Sequence, residues 1–487
     1  MPTATTSTTA RRLPALIALL PALLLAACAQ APLKSPAPLP EPPARWTYAD
    51  AAAQDGPPAS RATPAQWWAA YADPDLQQTL AQALAAHGDL ASAALKIRNA
   101  ELRAEAAGAA ALPTLSGSMG ANASRPLSGA AQRTTRGFST SWGVSWELDL
   151  WGRLRTQADM AAFERDATWQ DRRAVAATLA ANVVRQYWQL AALNQRLTVA
   201  EQSLVHARRT LALTQAQYEA GAVSGLDLAQ ARQATQSQEL TLLSLTQQRT
   251  EARHALALLL DLPPADLPAH AERRALPLGA AARARIVPGL PAEVLACRPD
   301  LRAAELRLRG ALANVDAVRL SFYPGISLTG GLGTGSAALV SLLSNPVATL
   351  GVGLSLPFLN AGEMRRNPQI AQNDYEQVVI GFRQSLLRAL GEVENQLSSV
   401  ATLREGAARQ ADLVAQARRI DELTEVRFRA GAIALRQWLD AQESRRQAEQ
   451  AQVDAELNLL QAQANLYQAL GTSACGTEKA QDTPQPR

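Results

Sequence analysis

The chain has 487 residues, 47% of them hydrophobic, 18% charged and only 5% aromatic. A low aromatic content argues against a large, finely packed catalytic core. Lys and Arg total 47 against 43 Asp and Glu, a net +4. That balance is too even for a nucleic-acid binder, which needs a concentrated basic face. Apart from the N-terminus there is no apolar run long enough for a membrane-spanning helix.

Arg11-Arg12 precedes an apolar stretch from Leu13 to Ala27, broken by Pro14 and Pro21. This is the pattern of an export signal, and it is too short to span a bilayer. It ends in Leu25-Ala26-Ala27-Cys28, which resembles the bacterial lipobox. The resemblance implies cleavage before Cys28 and a covalent diacylglycerol and N-acyl lipid on that residue, with no other cofactor. Ala29 follows, where the family's inner-membrane retention signal would have Asp, so sorting to the outer membrane is implied. An ordinary cleaved signal with an incidental cysteine is the alternative. The organisation expected is signal peptide 1–27, lipidated tether 28–64, first repeat 65–261, linker 262–298, second repeat 299–471 and C-terminal tail 472–487. The Pro- and Ala-rich residues 29–45 read as an extended tether. Cys28, Cys297 and Cys475 are too scattered for a disulfide framework or a zinc site.

The two repeats announce themselves by a constant offset. Gln217-Tyr218-Glu219-Ala220-Gly221 returns as Arg427-Phe428-Arg429-Ala430-Gly431, Asp89-Leu90 as Asp300-Leu301, Leu112-Pro113 as Tyr323-Pro324, and Gly152 as Gly362. Each half reads helix, strand, strand, long helix, returning helix.

The strands are expected at about 114–124, 138–150, 325–334 and 349–358. From Phe138 to Leu150 apolar and small polar residues alternate without a fault, and Leu350 to Phe358 does the same. A soluble sandwich would show such alternation too. The polar face, small and uncharged for most of its length, and the lack of any other β-rich region favour lipid on one side and a water-filled lumen on the other. Four strands cannot close a transmembrane barrel, and an open edge has no hydrogen-bond partners in hydrocarbon. The barrel must be shared, with two to four copies giving on the order of 8 to 16 strands.

The stretch after Gly152 runs to Ala220 without Gly or Pro, roughly 100 Å of helix. A seam of seven-residue steps runs through Ala176, Val183, Leu190, Leu197 and Leu204. Its counterpart is Leu386, Val393, Val400, Ala407 and Val414, the signature of left-handed coiled-coil packing. The chain then turns at Gly221 and at Gly431 and runs back. Shorter helices at about 65–87, 89–111 and 299–321 must stack end to end to match the long ones, and 262–298 reads as an irregular collar.

Catalytic chemistry is hard to place. Gly330-Gly331-Leu332-Gly333-Thr334-Gly335 suggests a nucleotide loop but has no following helix with a suitably spaced acid, so small residues lining a pore or bend are the better reading. Glu392 and Glu394 do not share a helix face.

The duplicated order, the Arg298-Pro299-Asp300-Leu301 to Tyr323-Pro324 segment and the Tyr218 and Phe428 turns resemble the TolC-like outer membrane factors. The lipobox points to their drug-efflux lipoprotein branch. The resemblance implies a mainly α fold with a transmembrane β part. It also implies a homotrimer: a 12-stranded barrel with four strands per protomer, continued by an α-helical coiled-coil tunnel. It further implies a passive, non-enzymatic exit duct. Its partners would be outer-membrane lipid, a periplasmic adaptor and an inner-membrane transporter of the resistance-nodulation-division type. By the same resemblance, Asp227 and Asp440 would ring a periplasmic gate, with Gln437 standing where a more acidic pattern is usual; helix capping or a solvated face is the competing role. The turns with Gly221, Ala222 and Val223, and with Gly431, Ala432 and Ile433, would be the adaptor-docking tips. Trp142, Trp146 and Trp151 would form an interfacial girdle or pack the junction below the barrel. A duct for protein secretion or for heavy metals, and a structural periplasmic rod without a pore, are the alternatives.

Overall fold

The computed structural model describes residues 41–49, 67–128, 134–273, 275–276 and 291–471. Cys28, the signal peptide, most of the tether and the C-terminal tail lie outside them. The elements are α1 (Pro74–Ala86), α2 (Gly88–Ala109), β1 (Thr114–Ser124), β2 (Thr135–Leu148), α3 (Arg153–Glu219) and α4 (Gly225–Leu259). They continue with α5 (Pro291–Cys297), α6 (Pro299–Leu320), β3 (Gly325–Ser336), β4 (Val347–Ser355), α7 (Ala361–Arg429) and α8 (Leu435–Ala469).

α3 is 67 residues long and α7 is 69. α3 has no net apolar face on a simple 3.6-residue period; what both long helices carry is the seven-residue seam. Val183, Leu190 and Leu204 are buried, as are Leu386, Val393, Val400 and Val414. Leu197 and Ala407 pack against the same core. Returning helices of 35 residues cover only about half of each long helix. The first part of α3 is covered instead by α2 and α6, with Arg307 reaching both Glu164 and Asp171. α1 and α2 follow one another with only His87 between them, its backbone extended and its Nδ1 accepting from the Asp89 amide. The segment expected at 65–87 is helical only from Pro74, preceded by a tight turn at Trp67–Tyr71.

That turn sits in the main core. The Trp67 ring stacks on Tyr467 at 4.9 Å, and Tyr71 meets Trp188 edge-on at 5.6 Å. Asp73 is buried in the same place. Its Oδ1 caps α1 by accepting from the Asp75 and Leu76 amides, and its Oδ2 accepts from the Tyr187 hydroxyl at 3.2 Å and pairs with Arg273. Arg273 also lies over the Trp188 ring at 5.6 Å. Part of the expected collar is thereby fastened to the helices: the Arg273 carbonyl accepts from Asn194, and the Leu276 amide donates to Gln195. The collar is not wholly irregular, because Pro291–Cys297 is a helix. The scatter of cysteines did not forecast that Cys297 is disulfide-bonded; its partner, Cys28 or Cys475, lies outside the described residues.

All four strands join one antiparallel sheet in the order β1-β2-β3-β4. The two halves therefore meet through β2 and β3, leaving β1 and β4 as edges. β2 stops at Leu148 and β4 at Ser355, short of the expected 150 and 358. Pro357 opens a tight turn there, since proline has no amide to give the ladder. The glycines matched between repeats also part company. Gly152 precedes α3 at φ +80°, whereas Gly362 lies inside α7, which Asn360 caps.

Removing the buried acid should be costly. Asp73→Ala strips two cap bonds and leaves Arg273 without its carboxylate, so a loss of about 3 kcal/mol is expected. Asp73→Asn, which keeps a cap acceptor, should lose less. Urea unfolding of the detergent-solubilised protein, followed by tryptophan fluorescence, measures both.

Candidate functional site

Pairing register decides which side chains share a face of the sheet. Val144 lies opposite Leu115 on β1 and Gly330 on β3, and Trp142 opposite Gly117 and Leu332. Leu328 lies opposite Trp146 and Val352, and Ile326 opposite Leu148 and Leu354. The apolar rows of all four strands thus coincide. Most of this face is open: Leu115, Met119, Trp142, Leu332, Leu350 and Val352 are all exposed.

The opposite face is built almost wholly of Ser, Thr and Gly. Ser141 faces Ser118 and Gly333, Gly143 faces Ser116 and Gly331, and Thr329 faces Ser145 and Gly351. Their hydroxyls are bonded within the sheet: Ser118 to Ser141 at 2.8 Å, Thr114 to the Ser145 carbonyl at 3.0 Å. Glycine leaves room where hydroxyls press across. A β-carbon on Gly331 would come within 2.7 Å of Thr349 Oγ1, and one on Gly353 within 2.6 Å of Ser327 Oγ. The Gly330–Gly335 run is therefore strand, not a phosphate loop. The result is a thin, uncharged, hydrogen-bonding wall on one side and a hydrocarbon-compatible wall on the other.

At the helix end of the sheet charges gather where the strands meet the helices, and at its other end Arg136 stands in the second residue of β2. Glu147 accepts from Arg153 at 2.7 Å, and Asp149 caps α3 by accepting from the Leu154 and Arg155 amides at 3.0 and 2.9 Å. The tryptophans divide. Trp142 stands on the exposed apolar face. Trp146 donates to the Ala111 carbonyl at 2.9 Å and Trp151 to the Pro324 carbonyl at 2.8 Å, so these two also tie the junction together.

At the far end of the helices the two turns have one backbone design. Gly221 and Gly431 adopt φ of +74° and +71°. The Ala222 amide donates to the Gln217 carbonyl at 2.8 Å, and Ala432 to Arg427 at 2.9 Å. These are left-handed C-terminal caps that only glycine takes without penalty. The side chains differ. In the first turn Ser224 and Asp227 form a reciprocal capping box: Asp227 Oδ2 accepts from the Ser224 hydroxyl at 2.6 Å and its amide at 2.9 Å. Those bonds hold the Asp227 carboxyl below its ordinary range, the hydroxyl contributing most. In the second turn Ala434 offers no side-chain cap. Packing replaces it, with Phe428 stacked on Trp438 at 5.1 Å, Leu435 buried beside them, and Ile433, Ala231 and Leu211 in the same cluster.

Val223 and Ile433 are half-buried, while Gly221, Ala222, Gly431 and Ala432 are exposed. Asp440 is exposed and pairs with Arg436 one turn away at 3.3 Å. Gln437 is exposed, its amide donating to the Ala434 carbonyl. Each expected gate acid is thus satisfied within its own helix end. Sequence reasoning missed Asp421, a buried acid near this end that pairs with Arg445 at 3.3 Å. Burial holds its carboxyl above the ordinary range despite the arginine. Nothing in the local pattern of α7 marks it, because Arg445 belongs to α8.

The sequence pattern of the family described as "Outer membrane efflux protein" matches residues 79–261 and again 290–472. Among curated relatives, the pyoverdine export outer membrane protein OpmQ of Pseudomonas putida is 35% identical over 443 residues, covering 88% of this chain and 92% of its own. The cation efflux system protein CusC of Escherichia coli is 30% identical, over 84% of this chain and 88% of its own. Among solved structures, the outer-membrane channel OprN superposes with a TM-score of 0.81 at 25% identity, over 91% of this chain and 99% of that one. The open state of the Neisseria gonorrhoeae MtrE outer membrane channel gives 0.73 at 27% identity, over 90% and 97%.

The unlike tips should respond unlike to mutation and acid. Ser224→Ala is expected to cost the first turn about 1 kcal/mol, read as roughly fivefold faster amide exchange at 225–228 with the second turn unchanged. Because the folded Asp227 carboxyl titrates below its unfolded value, its stabilisation is present above the unfolded range and lost as pH falls through the lowered folded range. Protection at the first tip, taken relative to the intrinsic exchange rate at each pH, should therefore fall selectively in acid, and Asp227→Asn should abolish that selectivity.

Proposed function

The chain belongs to the outer membrane efflux protein family, and on that premise we propose that three copies form one exit duct. It is an outer membrane channel of a tripartite efflux pump, carrying small molecules passively from an inner-membrane transporter and a periplasmic adaptor to the exterior. The observation that carries this reading is the two-faced sheet. Its hydroxyl-and-glycine wall suits a water-filled lumen, and its apolar wall suits lipid. Because each copy brings an even number of strands, β4 of one copy meets β1 of the next antiparallel, and three copies close a ring with no edge left in hydrocarbon. The helices continue that ring as a tunnel, and the chain does no chemistry on what passes.

The uncharged lumen wall sets no sign of cargo charge. Relatives bear names of pyoverdine export and of cation efflux, and a neutral duct is compatible with both, the transporter choosing the cargo. The tips at Gly221–Val223 and Gly431–Ile433 are the adaptor-docking ends. Asp227 and Asp440 form the gate, with Gln437 lowering its charge; the inner-membrane partner is a proton-driven transporter of the resistance-nodulation-division type. Cys28 carries the lipid. Alkylating that sulfur removes it from disulfide chemistry, which leaves Cys475 for the bonded Cys297.

Two measurements test this. Conductance in planar bilayers is expected to be small at rest and to rise severalfold in Asp227→Ala/Asp440→Ala; an unchanged pore would leave Asp227 only its capping role. Intact and peptide mass spectrometry should find a triacylated N-terminal cysteine together with a Cys297–Cys475 bridge. An unmodified Cys28 joined to Cys297 would remove the anchor.

A further inference from the structure

The loop joining β3 to β4 is unlike a water-facing loop. It reads Ala337-Ala338-Leu339-Val340-Ser341-Leu342-Leu343, and Leu339, Val340 and Leu343 are 65%, 97% and 78% exposed. The described part of the β1–β2 loop has only Leu127 of that kind, beside Arg125 and Pro126.

Its position follows from register. Along β3 the apolar-face row is Ile326, Leu328, Gly330, Leu332, Thr334 and Ser336, so the row turns polar in its last two places. A hydroxyl facing lipid has no water to bond and needs a protein partner. Both find one in the loop. Thr334 Oγ1 donates to the Leu342 carbonyl, and Ser336 Oγ shares a hydrogen bond with Ser341 Oγ at 2.5 Å while accepting from the Ala338 amide at 3.3 Å. The tight turn Leu339–Ser341 brings the chain back, and Leu342 is tucked in.

Because Thr334 and Ser336 point to the apolar face, the loop hooked to them folds over that face. Its depth is also fixed. Ser336 pairs with Phe138 and Thr334 with Thr140, whereas Arg136, the next residue of that row, pairs higher up with Ala123. The loop therefore lies level with the last apolar residue of β2, below the first cation.

We propose that the β3–β4 loop is a lipid-inserted flap, whose Leu339, Val340 and Leu343 bury into the acyl chains of the outer leaflet. It extends the apolar band over the stretch where the strand itself has turned polar. The proposal rests on the barrel reading above, which sets the apolar face toward lipid.

Nitroxide spin labels on single cysteines test it, with full-length oligomer reconstituted in phosphatidylethanolamine–phosphatidylglycerol vesicles and unsubstituted protein as the labelling blank. Collision with oxygen reports lipid, and collision with a water-soluble nickel chelate reports solvent. Val340→Cys should be severalfold more accessible to oxygen than to nickel, as Leu350→Cys in mid-strand should be, while Leu127→Cys should show the reverse. Preferential nickel access at 340 with oxygen access at 350 would overturn the flap and keep the barrel. A label at 340 shielded from both reagents would place the loop against a neighbouring copy, which also overturns it. Nickel access at 350 would refute the barrel reading itself.

Discussion

Everything in this molecule answers to one constraint: a four-stranded sheet with two free edges and one hydrocarbon face cannot exist in a membrane alone. Unpaired amides and carbonyls on β1 and β4 would have no water to bond. Closure by further copies removes both edges at once and leaves the Ser, Thr and Gly rows pointing inward. The helices inherit that geometry, because in the first half Asp149 caps the long helix directly below β2, while Trp146 and Trp151 tie the same junction to the segments that lead into β1 and β3. A ring of sheets thus becomes a ring of helices.

Duplication sets the frame, and the departures from it are departures in local chemistry. Both turns use the same left-handed glycine, yet one is fixed by a serine–aspartate capping box and the other by an aromatic stack. A cap depends on charge and proton activity, whereas a stack depends on buried area. The same pattern recurs at the outer rim, where one interstrand loop is cationic and the other apolar. The halves are copies in backbone and different in chemistry, and those differences lie where the molecule meets its surroundings.

How much of this was legible follows from the range of the interactions. The coiled-coil seam and the alternation in β2 are periodic, so Val183 through Leu204 and Phe138 through Leu148 could be placed from spacing alone. The glycine turns were legible because few other residues tolerate their φ. Asp73 was not: its partners Tyr187 and Arg273 are far away in the chain, and no local pattern marks a buried acid. The junction of the halves was equally hidden, since nothing in β2 or β3 says that they pair with each other. Asp227 was singled out only through the family resemblance, with helix capping as the competing role, and its bonds to Ser224 show that capping role.

The most direct test is the number of chains in the particle. Native mass spectrometry of the detergent-extracted protein should show three chains and no folded monomer, because an intact sheet with open edges is not stable alone. A monodisperse monomer with the full strand content by circular dichroism would contradict the shared barrel, and with it the duct.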